Sequence, residues 1–215
     1  MNITRDEHHQ YLIDGQRWPS VTQVLGTVIN KPFLNRYREK LGTAAANEVR
    51  DAAGTHGTFV HALASLHADG EAYLPLGPDD PYEAAKLQID AFTAWYDENV
   101  EECFGTEIFV AHPAYRYAGQ LDFLLRIRGD KLWTVLDIKS GASVGPEVRA
   151  QTAAYRDAAL ATILTDMGEK GCRRAVLHIP SGEAAGKLRF IPHDNHAADS
   201  QAWLSALYLY RWLKS

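Results

Sequence analysis

Residues 117–141 read YAGQLDFLLRIRGDKLWTVLDIKSG, two apolar runs on either side of Gly129-Asp130. Gly-X pairs close two-residue hairpin turns, because glycine takes the positive φ that such turns need. With Gly129 and Asp130 at the tip, strands over Tyr117–Arg128 and Lys131–Lys139 come into antiparallel register with Asp122 facing Asp137. Cβ atoms so opposed lie about 4.5–5.5 Å apart, and the period of a strand puts Lys139 on the face of Asp137. Like charges in that position repel, and the neighbours Leu121, Phe123, Leu125, Val135, Leu136 and Ile138 make the repulsion costlier by keeping water away. A hard, oxygen-ligated cation such as Mg²⁺ or Mn²⁺ relieves it. Two plainer arrangements compete with this one: a register shifted by one residue, or an ordinary ion pair between Lys139 and one aspartate.

Working outward, Glu107–Ala111 reads as a strand that completes a three-strand meander with the hairpin. A helix is expected over Glu147–Leu164, strands near Arg173–Ile179 and Lys187–Ile191, and a last helix over Asn195–Leu213. Upstream, YLIDGQRW alternates around Asp14-Gly15 as a small hairpin does, and Ser20 with Gln23 has the spacing of a capping box that opens a short helix. Phe33 to Leu66 is helical in pattern with interruptions at Gly42, Gly54 and Gly57. Tyr82–Asn99 is amphipathic, with Ala85, Ile89, Phe92, Trp95 and Tyr96 on one face. This order predicts an α/β fold: a mixed central sheet with a three-strand antiparallel meander, flanked by helices, and a helical amino-terminal part.

At 215 residues with 46% apolar and 10% aromatic side chains, the chain has the composition of a soluble globular protein of one domain. No apolar run approaches the ~18 residues that span a bilayer, and the start, MNITRDEHHQ, lacks the apolar stretch of a secretory signal. An intracellular protein with no membrane partner is therefore expected. Cys103 and Cys172 are too few for a disulfide framework, a four-cysteine zinc site or an iron–sulfur cluster. The formal net charge of −5 argues against coating nucleic acid through bulk positive charge, though not against a local basic groove.

Gly119-Gln-Leu-Asp122 followed by Asp137-Ile-Lys139-Ser-Gly141 resembles the core of the PD-(D/E)XK nuclease superfamily. Specifically it resembles the RecB-type exonuclease branch, which holds mitochondrial genome maintenance exonuclease and small phage exonucleases. Three further pieces occur in the order of that branch: His61 at the end of Gly54-Thr-His-Gly-Thr-Phe-Val-His61, the Q-x-x-x-Y of Gln151 and Tyr155, and Pro19-Ser-Val-Thr22 near the start. The match covers roughly residues 18–160.

The resemblance implies a restriction-endonuclease-like core and a metal-dependent DNA exonuclease. Such an enzyme hydrolyses phosphodiester bonds in single-stranded DNA or at exposed ends, in repair, recombination or genome processing. A structure-specific endonuclease on the same site and a catalytically degenerate DNA-binding subunit are the other readings. One or two Mg²⁺ or Mn²⁺ ions would be held by Asp122, Asp137, the carbonyl of Ile138 and His61, with His56 and His67 competing for the histidine position. Lys139 would stabilise charge on the phosphate or orient the attacking water. Gln151 and Tyr155, one helical turn apart, would reach the phosphate or the Lys139 loop. Glu107 would orient Lys139 or help hold metal, and Ser140 would touch phosphate. With two cysteines, no iron–sulfur cluster is expected.

Charge placement points to the nucleic-acid face. Ser20–Arg50 carries five basic residues against two acids, among them Arg36, Arg38 and Lys40, the candidate DNA-binding residues, whereas Tyr82–Glu107 carries seven acids against one lysine. Trp18, Phe33 and Tyr37 can stack bases or pack the core. The expected layout is a single nuclease domain over 1–215, with 1–100 the mainly helical, DNA-gripping part and 101–215 the catalytic α/β core.

Overall fold

The computed structural model describes residues 2–6, 10–29, 42–75, 77 and 80–215. Three short strands come first, β1 (Ile3–Arg5), β2 (Tyr11–Ile13) and β3 (Gln16–Trp18), followed by helices α1 (Val21–Val28), α2 (Thr43–Ala68) and α3 (Tyr82–Asn99). The meander is β4 (Val100–His112), β5 (Tyr117–Ile127) and β6 (Trp133–Lys139). Helix α4 (Glu147–Ala159), extended by a π-helical turn over Leu160–Leu164, leads to β7 (Cys172–His178), β8 (Arg189–Pro192) and α5 (His196–Trp212).

The larger sheet runs β4-β5-β6-β7-β8 and the smaller one β1-β2-β3. Only β6 and β7 are parallel, and parallel neighbours need a crossover, which α4 supplies. The fold class is thus mixed α/β. One face of the large sheet packs Leu121, Leu124, Trp133 and Val135 against residues of α1, α4 and α5. The other packs Phe123, Leu125, Leu136 and Ile138 against Ala64 of α2 and Phe92 of α3.

Several expectations meet the coordinates closely. Asp14 and Gly15, at φ 47° and 81°, make the tip of the β2–β3 hairpin. Ser20 caps α1, its Oγ accepting the Gln23 amide at 3.0 Å, and Tyr82–Asn99 is one helix. Others need correction. The amino-terminal part is not only helical, since β1 adds a third strand to the hairpin. Gly54 and Gly57 do not interrupt α2, which runs unbroken through both. At Gly57 the helix approaches the turn after β6 so closely that a Cβ would lie 3.1 Å from Ser140 Oγ. Strand β4 begins at Val100, seven residues before the expected start, with irregular pairing between Val100 and Glu102 and between Cys103 and Gly105. Those irregularities hide its alternation in the sequence. Arg36, Arg38 and Lys40, with Phe33 and Tyr37, lie outside the described residues, while Trp18 packs on the small cluster of Tyr11, Ile13, Ala111 and Ala118.

The decisive hairpin keeps the expected register but not the expected turn. Phe123 pairs with Leu136 and Arg126 with Trp133, yet β5 stops at Ile127 and β6 starts at Trp133. The tip is a turn closed by Asp130 N–H to Ile127 O at 2.8 Å. Arg128 explains the wider loop: its amide donates to Asn99 O, and its guanidinium to Glu98 O at 3.1 Å and Val100 O at 3.0 Å. These bonds draw the end of β5 toward β4. Because residues are added equally on both sides of the tip, the register survives.

Gly119 is the tightest packing point behind the site. A Cβ there would lie 2.5 Å from Tyr155 Cε1 on α4, and a buried ring cannot retreat without moving its helix. Gly119→Ala is expected to destabilise the fold by about 1–3 kcal/mol, read as a lower urea midpoint; an unchanged midpoint would mean that α4 is not held against β5 at this position.

Candidate active site

Strands β5 and β6 separate beyond the Phe123–Leu136 pair, while β5 stays on β4 and β6 stays on β7. The sheet thus forks, with Asp122 on one arm and Asp137 and Lys139 on the other. Across the fork, Asp122 Oδ2 accepts the Ile138 amide at 2.6 Å. That carboxylate satisfies an N–H which the ladder no longer serves, as buried backbone donors require. It also fixes the other oxygen, Oδ1, which lies 3.4 Å from His61 Nδ1.

A second irregularity matches the first on β4. Thr106 pairs with Phe123 and Ile108 with Leu121, so Glu107 stands opposite Asp122 and, like it, leaves the ladder. Glu107 has φ 50°, a left-handed conformation that a non-glycine residue in a strand adopts only where its surroundings impose it. Two hydrogen bonds hold it: Gln120 Nε2 donates to Glu107 O at 3.0 Å, and Arg5 of β1 donates to Gln120 Oε1 at 2.6 Å. The ligand atoms of His61, Glu107 and Asp122 all lie within 4.8 Å of one another. One imidazole nitrogen and two carboxylates so gathered suit a divalent cation that accepts oxygen and nitrogen, manganese being the more tolerant of imidazole.

Asp137 and Lys139 face α4. Lys139 Nζ lies 2.6 Å from Asp137 Oδ2, Gln151 Nε2 donates to Asp137 Oδ1 at 3.1 Å, and the same amide donates to Tyr155 OH at 3.3 Å. His61, Glu107, Asp122, Asp137, Lys139, Gln151 and Tyr155 all line one cleft of about 860 Å³, which Arg5 and Tyr11 close from the small sheet and Gly54–Leu66 from α2. The other two histidines are engaged elsewhere, His56 with Gln88 at 2.6 Å and His67 with Asp97 at 2.8 Å. Ile138 contributes its amide to the site and its side chain to the core. Ser140 turns its hydroxyl toward Gly57.

Gln88 is a residue that motif reading passed over. Fully buried on α3, it donates to Ser140 O at 3.3 Å and Ile179 O at 2.5 Å while its Oε1 meets His56. It thereby ties α2 and α3 to the turn that follows Lys139. The available signal was its place among Ala85, Ile89 and Phe92, where an amide on an apolar face must have a buried partner.

Electrostatics separate the two aspartates. Burial pushes both carboxyls up. At Asp122, His61, Lys139 and the Ile138 amide outweigh that effect and hold it below the usual carboxylate range. At Asp137 burial prevails with the help of the Asp122 charge, and the group is pushed up to about 6 despite Lys139. Burial works against the charged forms of His61 and Lys139, but the aspartates beside them prevail and raise both. Glu107 is raised by burial and by Asp122. The cleft thus sets Glu107, Asp122 and Asp137 beside Arg5, His61 and Lys139.

No protein-family model matches the chain, and no curated protein does. Among solved structures it is similar to the crystal structure of an alkaline exonuclease (LHK-Exo) from Laribacter hongkongensis, at 12% identity over 92% of this chain and 91% of that one, with a TM-score of 0.28. An overlap that low carries no weight beside the side chains themselves. No helix among the described residues is long and apolar enough to cross a membrane.

The raised Asp137 makes a pH prediction for the metal-free protein. In the unfolded chain an aspartate releases its proton near pH 4, whereas the folded one holds it to about 6. Between those values the folded state binds more protons, so stability falls as pH rises. Asp137→Asn removes that cost: in EDTA the variant should melt above the parent at pH 8, by the equivalent of about 3 kcal/mol, and closer to it at pH 4.5. A lower melting point at pH 8 would contradict the assignment.

Proposed function

We propose that this chain is a metal-dependent deoxyribonuclease of the PD-(D/E)XK type, acting as an exonuclease on single-stranded DNA or exposed ends. The observation that carries the reading is the fork: Asp122, Asp137 and Lys139 line one cleft beside His61 and Glu107. This spacing of carboxylates and ammonium is required by a reaction that must hold a phosphodiester against its own negative charge. The donor set fits Mg²⁺ or Mn²⁺, which His61, Glu107 and Asp122 would hold, with Asp137 and the Ile138 carbonyl as the further ligands the motif implies. When bound, the ion supplies a more acidic water and neutralises charge on the phosphate oxygens.

The chain's own groups do the rest. Lys139 stays protonated between two aspartates and so keeps a fixed positive charge in the cleft. Asp137, itself held by Gln151, keeps that ammonium in one place, and Tyr155, packed against Gly119, fixes Gln151. Arg5 and Gln120 hold Glu107 in the conformation that turns it toward Asp122. In this reading residues 1–215 act as a single nuclease domain with a restriction-endonuclease-like core.

End-labelled linear single strands, linear duplexes and covalently closed circles, incubated with the protein in Mg²⁺ or Mn²⁺, test the proposal. Linear DNA should be degraded with circles intact, EDTA should stop the reaction, and Lys139→Ala should lower the rate by about 100-fold or more while folding normally. Nicking of circles would make the protein an endonuclease on the same site. Binding without cleavage of any substrate would make it a degenerate DNA-binding subunit.

A further inference from the structure

The cleft does not end at Lys139. On the other side of that side chain lies a second cavity of about 340 Å³, between α1 and residues 141–148. The two cavities share Thr22, Lys139 and Gln151 as walls, so the ammonium stands at their junction. A phosphodiester placed at Lys139 therefore has room on both sides. The main cleft, toward α2, takes one side of the substrate, and the second cavity takes the other.

We propose that this second cavity is a subsite for one nucleoside unit of the substrate, bound through its uncharged base and sugar rather than through a phosphate. The proposal rests on the phosphodiesterase reading above and adds to it where the far side of the reacting bond is held. Size and lining support it. The volume falls at the lower end of the range for small-ligand sites, about 300–1,000 Å³. Leu25, Val144 and Val148 offer apolar surface, while Thr22, Ser143 and Gln151 offer hydroxyls and an amide. The ionisable groups among the described lining residues are Lys139 and Glu147. Lys139 is already engaged by Asp137, and Glu147 adds a negative charge that acts on Lys139. Most of the described lining is apolar, hydroxyl or amide surface, which a base and sugar can bind without a charge.

Both walls are preformed. Gln88 holds the Ser140 carbonyl, and His178 Nε2 bonds Gly141 O at 2.8 Å. Arg189 Nη2 lies 2.8 Å from His178 Nδ1. A guanidinium can only donate, so Nδ1 accepts and the proton sits on Nε2, where it serves Gly141. Opposite, α1 is fixed by its Ser20 cap and by the buried Val21, Val24 and Leu25. Gly26 lies on this wall, and a Cβ there meets nothing within 4 Å among the described residues. A Cβ at position 26 therefore clashes with none of the described residues, and replacing a helical glycine favours the helix.

The test is a size series, Gly26→Ala, Gly26→Leu and Gly26→Trp, made in an Asp137→Asn background so that the probe is not consumed. Binding of a fluorescein-labelled hexathymidylate is followed by anisotropy in Mn²⁺, with thermal melts to check each fold. Affinity should fall in order of side-chain volume and reach a tenfold loss at Gly26→Trp. Free thymidine should displace the probe from the parent more readily than from Gly26→Trp, and inorganic phosphate should not discriminate between them. A flat series overturns the subsite, and phosphate displacement that Gly26→Trp abolishes overturns the uncharged occupant. If the wild type cleaves no DNA but the series is graded, the hydrolase reading falls and the subsite stands. Failure of every variant and the parent to bind the probe overturns both.

Discussion

The hydrogen bond from the Ile138 amide to the Asp122 carboxylate, at 2.6 Å, is the contact around which the rest of the site is arranged. A sheet that parts in its middle exposes backbone donors, and a buried donor without a partner costs about 1–3 kcal/mol. Asp122 removes that penalty with a side chain instead of a strand. The gap can then stay open between two strands that are each still paired on their far side. One carboxylate oxygen is used to hold the fork, and the other is left facing His61. The structural and the chemical demands on Asp122 are met by different atoms of the same residue.

From the fork follows a clustering of charge. The buried Asp122 and Asp137 and the exposed Glu107 are brought into one cleft with His61, Lys139 and Arg5, and burial, helped by the Asp122 charge, keeps a proton on Asp137 to about pH 6. Such a cluster is unstable in isolation, and the protein surrounds it with devices that resist relaxation. Glu107 is held in a left-handed conformation by Gln120 and Arg5, and Gln151 and Tyr155 are wedged between Asp137 and Gly119. Gln88 pins the turn beyond Lys139. Backbone strain and clustered carboxylates kept in place by a rigid shell are features that functional sites share.

Much of this was legible in the sequence, and the reasons for success and failure are physical. The register of the hairpin could be read because alternation and the Gly129 turn agree on it, and a one-residue error would have exposed Phe123 and Leu136. The turn is wider than a Gly-X pair predicts because Arg128 bonds to backbone carbonyls around residues 98–100, and such bonds leave no trace in a local pattern. His61 stood out only through the motif order; what separates it from His56 and His67 is their engagement with Gln88 and Asp97, fixed by tertiary packing. Glu107 could be noticed as an acid on a strand, but its backbone conformation and its approach to Asp122 depend on a pairing irregularity that propensities do not encode. A glycine's cost in a helix is local and suggests a break, while the reason for Gly57, room for Ser140, lies some eighty residues away.

The central claim is that these acids and His61 are gathered to hold a divalent cation, and calorimetric titration of Mn²⁺ into the metal-free protein tests it most directly. The account predicts saturable binding of one or two ions by the wild type, weakened at least tenfold in Asp122→Asn and in Glu107→Gln, each with the fold retained. No saturable binding by the wild type, or equal binding by all three proteins, would contradict it.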